Sequence, residues 1–499
     1  MSHRDALQNP VQIVGRLRQT PSRISIRWNS GTISLRRTTL VCYTLGRVKL
    51  TSGPPLDPTR AHNEVGTVRG KSIAPSSVES RTIRKLQIRI IPFLFLLYVV
   101  AYLDRINIGF AALTMNKELA ITSQQFGFLA GIFFFGYFLF EVPSNLLLHK
   151  IGARIWMARI LITWGIVAMS TGFVHNVHQL YVLRFLLGLA EAGSYPGIVL
   201  YLTYWFRRRE QAQAIALVII GLPVASILGG PISGLILDHV HWLGVSSWRW
   251  LLILEGVPAV VSGVLICLLL PNRPTEAKFL TPAEKDWLMG ELARERERKL
   301  EQHRISLAKT FAYLRVWHLL WIQFTFLIGL YSLTFWGPLV IKSLCSYYSN
   351  TVVGFLAVIP QFVGLASMVL VSRSSDRRLE RRYHAAIPAL IGGISWFLLG
   401  TTTSPVVSIL LLSFIAAGAY SITGPFWSLP CEFLTGYAAA SGIAFINSMG
   451  NLGGFAGPYA VGLIKDKIGS LYWGFAFVGT SMLVSAIFLV LLPKRARAG

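Results

Sequence analysis

Residues 90–112 read IIPFLFLLYVVAYLDRINIGFAA. The run is long enough to cross a bilayer as a helix. Yet it carries Asp104 and Arg105 side by side. Either charge at a helix centre costs roughly 2.5–3.5 kcal/mol on the insertion scale. Together they must face a protein interior or a water-filled cavity, and intramembrane charges of this kind mark an ion or substrate path.

The rest of the chain has the same character. Of 499 residues, 53% are hydrophobic and only 14% charged, with a mean hydropathy of +0.54. Soluble domains carry about 25% charged residues, so this is a polytopic membrane protein. The formal charge of +25 is not read as a nucleic-acid signal. No basic stripe is interleaved with aromatics on a polar domain, and cations beside membrane helices serve topology and anionic headgroups. Cys42, Cys267, Cys345 and Cys431 are scattered and show neither a disulfide framework nor metal-ligand spacing. His175 and His178 share one short loop and read as solvated. No metal and no cofactor is expected.

Twelve apolar runs follow one another, at roughly 88–113, 124–148, 154–173, 178–205, 211–237, 249–270, 315–341, 350–372, 384–402, 405–430, 438–464 and 470–492. The expected fold is therefore all-α, with two six-helix halves at 81–271 and 315–499. A polar linker at 272–314 joins them. Within it Thr281-Pro282-Ala283-Glu284 reads as a helix start. Residues 1–80 are rich in Arg, Ser, Thr and Pro and hold no run of membrane length, so they read as a disordered, dispensable extension. An alternative is that the true start lies near Val78.

Lys and Arg alternate between loops. They gather before the first run (Arg81, Arg84, Lys85, Arg89), after the second (Lys150, Arg154), after the fourth (Arg207, Arg208, Arg209) and after the eighth (Arg373, Arg377, Arg378, Arg381, Arg382), and at the C-terminus. The positive-inside rule then puts both termini in the cytoplasm of a multi-pass inner-membrane protein. The halves echo each other. His149-Lys150-Ile151-Gly152-Ala153-Arg154 follows the second run, and Asp376-Arg377-Arg378-Leu379-Glu380-Arg381 follows the eighth. Such paired motifs suggest an internal duplication around a central pathway.

On these motifs the chain resembles the major facilitator superfamily, whose loop signature is Asp-Arg-x-Gly-x-Arg/Lys; His149 and Leu379 depart from it. Three further stretches resemble the anion:cation symporter family. They are Tyr102-Leu103-Asp104-Arg105-Ile106-Asn107, the run from Arg184 to Glu191, and Ser247-Trp248-Arg249-Trp250. The segments Gly424-Pro425-Phe426-Trp427 and 446–455 resemble its bacterial tartrate and sugar-acid permeases. The resemblance spans about residues 80–495. It implies a major facilitator fold, transport of a small organic anion, and substrate roles for Tyr137 and Asn447. Where sugar-acid relatives carry a polar residue in the fifth span, this chain has Gly221-Leu222-Pro223.

The chemistry of the charged residues points the same way. Arg184 and Glu191 stand about two helical turns apart and share a face. Two Arg and two carboxylates thus line spans 1 and 4. Arg105 cannot lose its proton, and its planar fork matches a carboxylate, so it is the expected anion anchor. Asp104 and Glu191 are the titratable partners, with Arg184 completing the set. A substrate carboxylate on Arg105 is expected to displace Asp104 and free it to take a proton. Tyr102, Tyr137, Asn447 and Trp427 are candidate pocket residues; Asn451 reads as structural, and Gln323 and Tyr331 as possible second-half lining. Gly230, Gly234, Gly450 and Gly454 read as close helix packing. The sequence supports a monomeric proton symporter in the lipid bilayer for a tartrate-like hydroxydicarboxylate or sugar acid. An aromatic carboxylate, or a sensor that binds without transport, are the rivals. No catalytic triad and no nucleotide-binding loop is present, so an enzyme or an ATP-driven pump is not expected.

Overall fold

The structure is a computed structural model that describes residues 23–28, 31–36, 77–301, 313–431 and 436–492. Residues 1–74 and 75–499 form separate units. In the first, β1 (Arg23–Trp28) pairs antiparallel with β2 (Gly31–Arg36), with Trp28 opposite Gly31. This hairpin lies in the stretch that composition assigned to disorder.

The second unit is helical. The first span is α1 (Ser77–Glu118), 42 residues without interruption and about 63 Å long. It extends well past the apolar run, because its polar first turns dock against the linker. Then come α2 (Ser123–Ile151), α3 (Ala153–Ser170), α4 (Val177–Glu191), α5 (Ser194–Thr203), α6 (Arg208–Ile219), α7 (Gly221–His239) and α8 (Ser247–Leu269). The linker helix is α9 (Pro282–Glu301). The second half holds α10 (Leu314–Leu344), α11 (Asn350–Arg378), α12 (Arg382–Leu399), α13 (Pro405–Cys431), α14 (Gly436–Asn451), α15 (Gly453–Ile468) and α16 (Leu471–Leu491).

Apart from the linker helix α9, the fifteen described helices make twelve spans, because three runs that the sequence suggested as single helices are broken. Span 4 is α4 plus α5, span 5 is α6 plus α7, and span 11 is α14 plus α15. Among the described residues ten helical segments are long and apolar enough to cross a membrane by themselves. The other two are span 9, α12, which opens on Arg382-Tyr383-His384, and span 11, α14 plus α15.

The break in span 4 has a clear cause. Gly193 adopts φ +86°, a conformation that favours glycine. The carbonyl of Ala192, freed by the break, accepts a hydrogen bond from Ser144 Oγ at 2.6 Å, and Trp156 Nε1 donates to the same Oγ at 2.9 Å. A helix can be interrupted at membrane depth only when its loose backbone groups are satisfied in this way.

The start of α1, the end of α16 and the linker share one face of the bundle, called here the terminal face. There α9 opens with a reciprocal cap: Thr281 N–H donates to Glu284 Oε2 (2.9 Å) and Glu284 N–H to Thr281 Oγ1 (3.4 Å). Lys85 of α1 donates to Glu284 at 2.9 Å. Arg207 joins Glu79 and Glu210 at 2.6 Å and Glu291 at 3.3 Å, and its guanidinium lies 5.0 Å from the Trp287 ring. The linker is thus clamped to the first half.

The motifs after spans 2 and 8 perform matching anchoring. Arg154 donates from its backbone to Asn272 Oδ1 (3.2 Å) and from Nη1 to the Leu270 carbonyl (3.4 Å). In the second half the corresponding contacts, to the carbonyls of Leu489 and Val490, come from Arg382. Arg381, which the sequence paired with Arg154, folds back on Asp376 instead. Both arginines satisfy carbonyls at a helix C-terminus, where a cation is favourable. Gly152 takes φ +97° in the first turn. Lys150 is exposed, and so is Arg377.

At the opposite face the halves meet closely. Asp466 accepts backbone N–H bonds from Ser123 (3.2 Å) and Gln124 (2.7 Å). Asp238 accepts from the N–H groups of Asn350 (3.2 Å) and Thr351 (2.6 Å). Between α7 and α11, a Cβ on Gly230 would sit 2.6 Å from the Gly354 carbonyl oxygen. The packing role read for Gly230 and Gly234 follows from such contacts. Gly450 and Gly454 likewise receive Gln323 and Phe134 side chains.

Candidate functional site

The site forms where α1, α2 and α4 converge. Two glycines permit it. A Cβ on Gly188 of α4 would lie 2.0 Å from the Phe133 carbonyl oxygen, and one on Gly136 of α2 would lie 2.3 Å from that of Phe185. Without side chains there, α2 presses against α4 and turns Phe133 and Tyr137 toward α1.

Arg105 occupies the centre. Its Nη2 is bound to Glu191 Oε1, and the two side chains are 14% and 1% exposed. Three rings surround the guanidinium, with centroids at 5.0 Å (Tyr102), 5.3 Å (Phe133) and 5.4 Å (Tyr137). Their electron-rich faces favour a cation. Tyr331 of α10 packs on Phe134, at 4.3 Å between ring centroids, and also bears directly on Arg105. Glu191 ends α4, immediately before the Gly193 break. A broken helix thus fixes the carboxylate that holds the arginine.

Asp104 points elsewhere. Adjacent helical residues diverge by about 100°. Asp104, 3% exposed, accepts hydrogen bonds from Trp164 Nε1 and from Asn107 Nδ2 (2.8 Å). The sequence reading had Asp104 competing for Arg105; the geometry gives that role to Glu191. Arg184 is equally buried and makes no direct ion pair among the described residues, and its Nε lacks a partner there. Its charge acts on both Asp104 and Glu191. The four charges of spans 1 and 4 do form one set, but with partners exchanged.

From the second half Asn447 enters. Its Nδ2 donates to Glu141 Oε1 at 3.3 Å, and Ser448 Oγ binds Glu141 Oε2. Trp427 packs on Phe426 at 5.2 Å and is not one of the rings around Arg105. Gln323 is buried with Oε1 unpartnered among the described residues, and Asn451 closes α14.

Two buried carboxylates escaped the sequence reading. Glu141 is 2% exposed and Glu255 6%. Glu255 of α8 accepts from Ser233 Oγ of α7 at 2.9 Å. The signal for both was present, since each is a lone carboxylate inside an apolar run, like Asp104. The Ser247-Trp248-Arg249-Trp250 motif is a bracket rather than a site. Trp248 Nε1 donates to Glu118 (2.7 Å), and Arg249 binds Glu118 (3.3 Å) and the carbonyls of Gly172 and Val174. No group of side chains suited to hold a metal occurs among the described residues.

Comparison with known proteins places this arrangement. Residues 94–458 match the Major Facilitator Superfamily. The chain is 45% identical over 421 residues to a protein of Agrobacterium vitis described as "Putative tartrate transporter", covering 84% of this chain and 96% of that one. It is 40% identical to "Putative metabolite transport protein NicT" of Pseudomonas putida, over 82% of this chain and 94% of the relative. Its fold superimposes on the xylose transporter XylE of E. coli in a partially occluded inward-open conformation, with a TM-score of 0.68 at 14% identity, covering 82% and 99% of the two chains. The helical fold is that of a secondary transporter, and the chain belongs to the Major Facilitator Superfamily.

Proposed function

We propose that this protein imports a small hydroxylated dicarboxylate, of which tartrate is the model, together with protons. The observation that carries the proposal is the buried Arg105–Glu191 pair, ringed by aromatics and set at a helix break. Arg105 offers a planar fork for a substrate carboxylate. When substrate takes the fork, Glu191 loses its cation. A lone carboxylate at membrane depth is costly, so Glu191 then takes a proton, and anion and proton travel together. Arg184, with no direct ion pair among the described residues, suits the second carboxylate of a short diacid. Asn447 supplies an amide for hydroxyls. The similarity to relatives named for tartrate supports the same class. Alternating access would proceed by rocking of the halves. The terminal face, with its cationic loops, is assigned to the cytoplasm of the inner membrane.

Tyr102, Phe133 and Tyr137 around Arg105 favour a second reading, an aromatic monocarboxylate stacked on those rings. One experiment separates the two. Proteoliposomes with an inward pH gradient are given labelled L-tartrate, with excess unlabelled benzoate or none. Accumulation of tartrate that benzoate leaves intact supports the first reading. Saturable uptake of labelled benzoate in a parallel assay, without tartrate uptake, supports the second. Equilibration of tartrate unaffected by the pH gradient removes the proton from the proposal.

A further inference from the structure

Glu141 has no part in the scheme above, yet it is the described hydrogen-bonded tie between the halves that lies farthest along α2. Ser123 meets Asp466 at the opposite face; Glu141 lies about 27 Å further down the helix, by rise per residue. It sits one turn beyond Tyr137, on the terminal-face side of Arg105. Each of its two oxygens accepts one hydrogen bond. One accepts from Asn447 Nδ2 and the other from Ser448 Oγ, both on α14 of the second half.

The surroundings are unusual for a carboxylate. Glu141 is 2% exposed, and both donors are neutral. The charged or titratable groups that act on or adjoin it are Arg105 of α1 and Tyr137 of its own helix. Arg105 is committed to Glu191. A structural tie between spans 2 and 11 could be made by Gln or Asn without burying an acid. An ionised carboxylate makes stronger, charge-assisted bonds to the same donors. A protonated one gives them up more readily and removes a charge from low dielectric.

We propose that Glu141 is a second proton-carrying residue, whose ionised form fastens span 2 to span 11 and whose protonated form lets them part. The proposal rests on the reading of the protein as a proton-coupled importer and adds a link to substrate. Asn447 is both a donor to Glu141 and the amide offered to substrate hydroxyls. Substrate that engages Asn447 strips Glu141 of one donor and so favours its protonation. The proton comes from water and returns to it on the terminal face; no other bond is made or broken.

The test uses the purified full chain and the Glu141→Gln variant, which keeps volume and an acceptor for Ser448. First, the infrared carbonyl band of protonated carboxyl groups is followed against pH without substrate. A component that titrates in the parent and is missing from the variant is expected; identical titrations overturn the proposal, whatever the substrate is. Second, labelled tartrate is followed in proteoliposomes. The variant is expected to exchange labelled for unlabelled tartrate but to lose accumulation above the external concentration, with a flattened pH profile. A variant that accumulates with the parent's profile overturns the proposal. A parent that takes up no tartrate sinks the substrate reading, and the infrared titration still decides Glu141. Glu141→Ala separates the tie from the charge. It should lose exchange as well, and retention of exchange there with loss in Glu141→Gln contradicts the fastening role.

Discussion

Arg105 of the first span is bound through Nη2 to Glu191 Oε1 of the fourth, and that carboxylate belongs to the last residue of α4, two residues before the left-handed Gly193. The cation can therefore change partners without moving its helix. A substrate carboxylate need only replace Glu191 on a guanidinium already oriented by three rings.

Arg105→Lys keeps the charge but loses the two-point fork and the flat face against the rings. Binding of tartrate to purified protein is expected to weaken roughly tenfold or more, the scale of one lost charge-assisted contact. Isothermal titration measures it. Near-parental affinity would move the anchor to Arg184.

Glu191→Gln fills the same volume and imitates the protonated acid. Tartrate should still bind, and exchange between labelled and unlabelled pools should persist, because exchange needs no net proton movement. Accumulation under a pH gradient should fail. If preloaded proteoliposomes of the variant accumulate as the parent does, Glu191 is only a partner for Arg105.

Asp104→Asn is expected to act on stability rather than on the anchor. Asp104 is held by Trp164 and Asn107 and faces the charge of Arg184. Its loss leaves a buried guanidinium with less compensation. Thermal unfolding in detergent should occur at lower temperature, while Arg105-dependent binding persists in the protein that remains folded. An unchanged midpoint together with lost binding would return Asp104 to the substrate site.

Asp238 and Asp466 hold the opposite face shut by receiving the first N–H groups of α11 and α2. A carboxylate at a helix N-terminus gains from both hydrogen bonds and the dipole, roughly 0.3–1 kcal/mol from the latter. The double variant Asp238→Asn, Asp466→Asn should shift the population toward opening at that face. Spin labels on α2 and α15 there, read by double electron–electron resonance, should show longer distances. An unchanged distribution counts against the clasp.

The linker should respond to acid. Burial pushes the Glu284 carboxyl up, but the hydrogen bond from Lys85 and those of Thr281 outweigh it and hold the group below its ordinary range. A carboxyl held low in the folded state stabilises it above the ordinary carboxylate range, and that contribution is lost as pH falls through the group's lowered value. Lys85 is substantially exposed, so the effect should be modest and salt-sensitive. Limited proteolysis of α9 should accelerate on acidification toward about pH 4, and Lys85→Met should show the faster rate already at neutral pH. Equal rates in parent and variant at neutral pH would remove the clamp.

The membrane character and the concealment of the charges in spans 1 and 4 were legible in the sequence. Each is a local property: a run of apolar residues has few ways to be solvated other than in lipid, and a charge within it has few places to face. Glu141 and Glu255 carried the same signal as Asp104. Partner choice was not legible. Asp104 and Arg105 are neighbours in the chain, yet the twist of the helix sends them to different groups. Arg382 rather than Arg381 reaches the carbonyls that match those of Arg154. The helix break at Gly193 depends on Ser144, which lies far off in sequence and satisfies the loose backbone. The sequence by itself determined which residues had to be hidden from lipid. Only the tertiary structure decided which of them meet, because pairing depends on helix rotation and close approach, set by contacts such as Gly188 against Phe133.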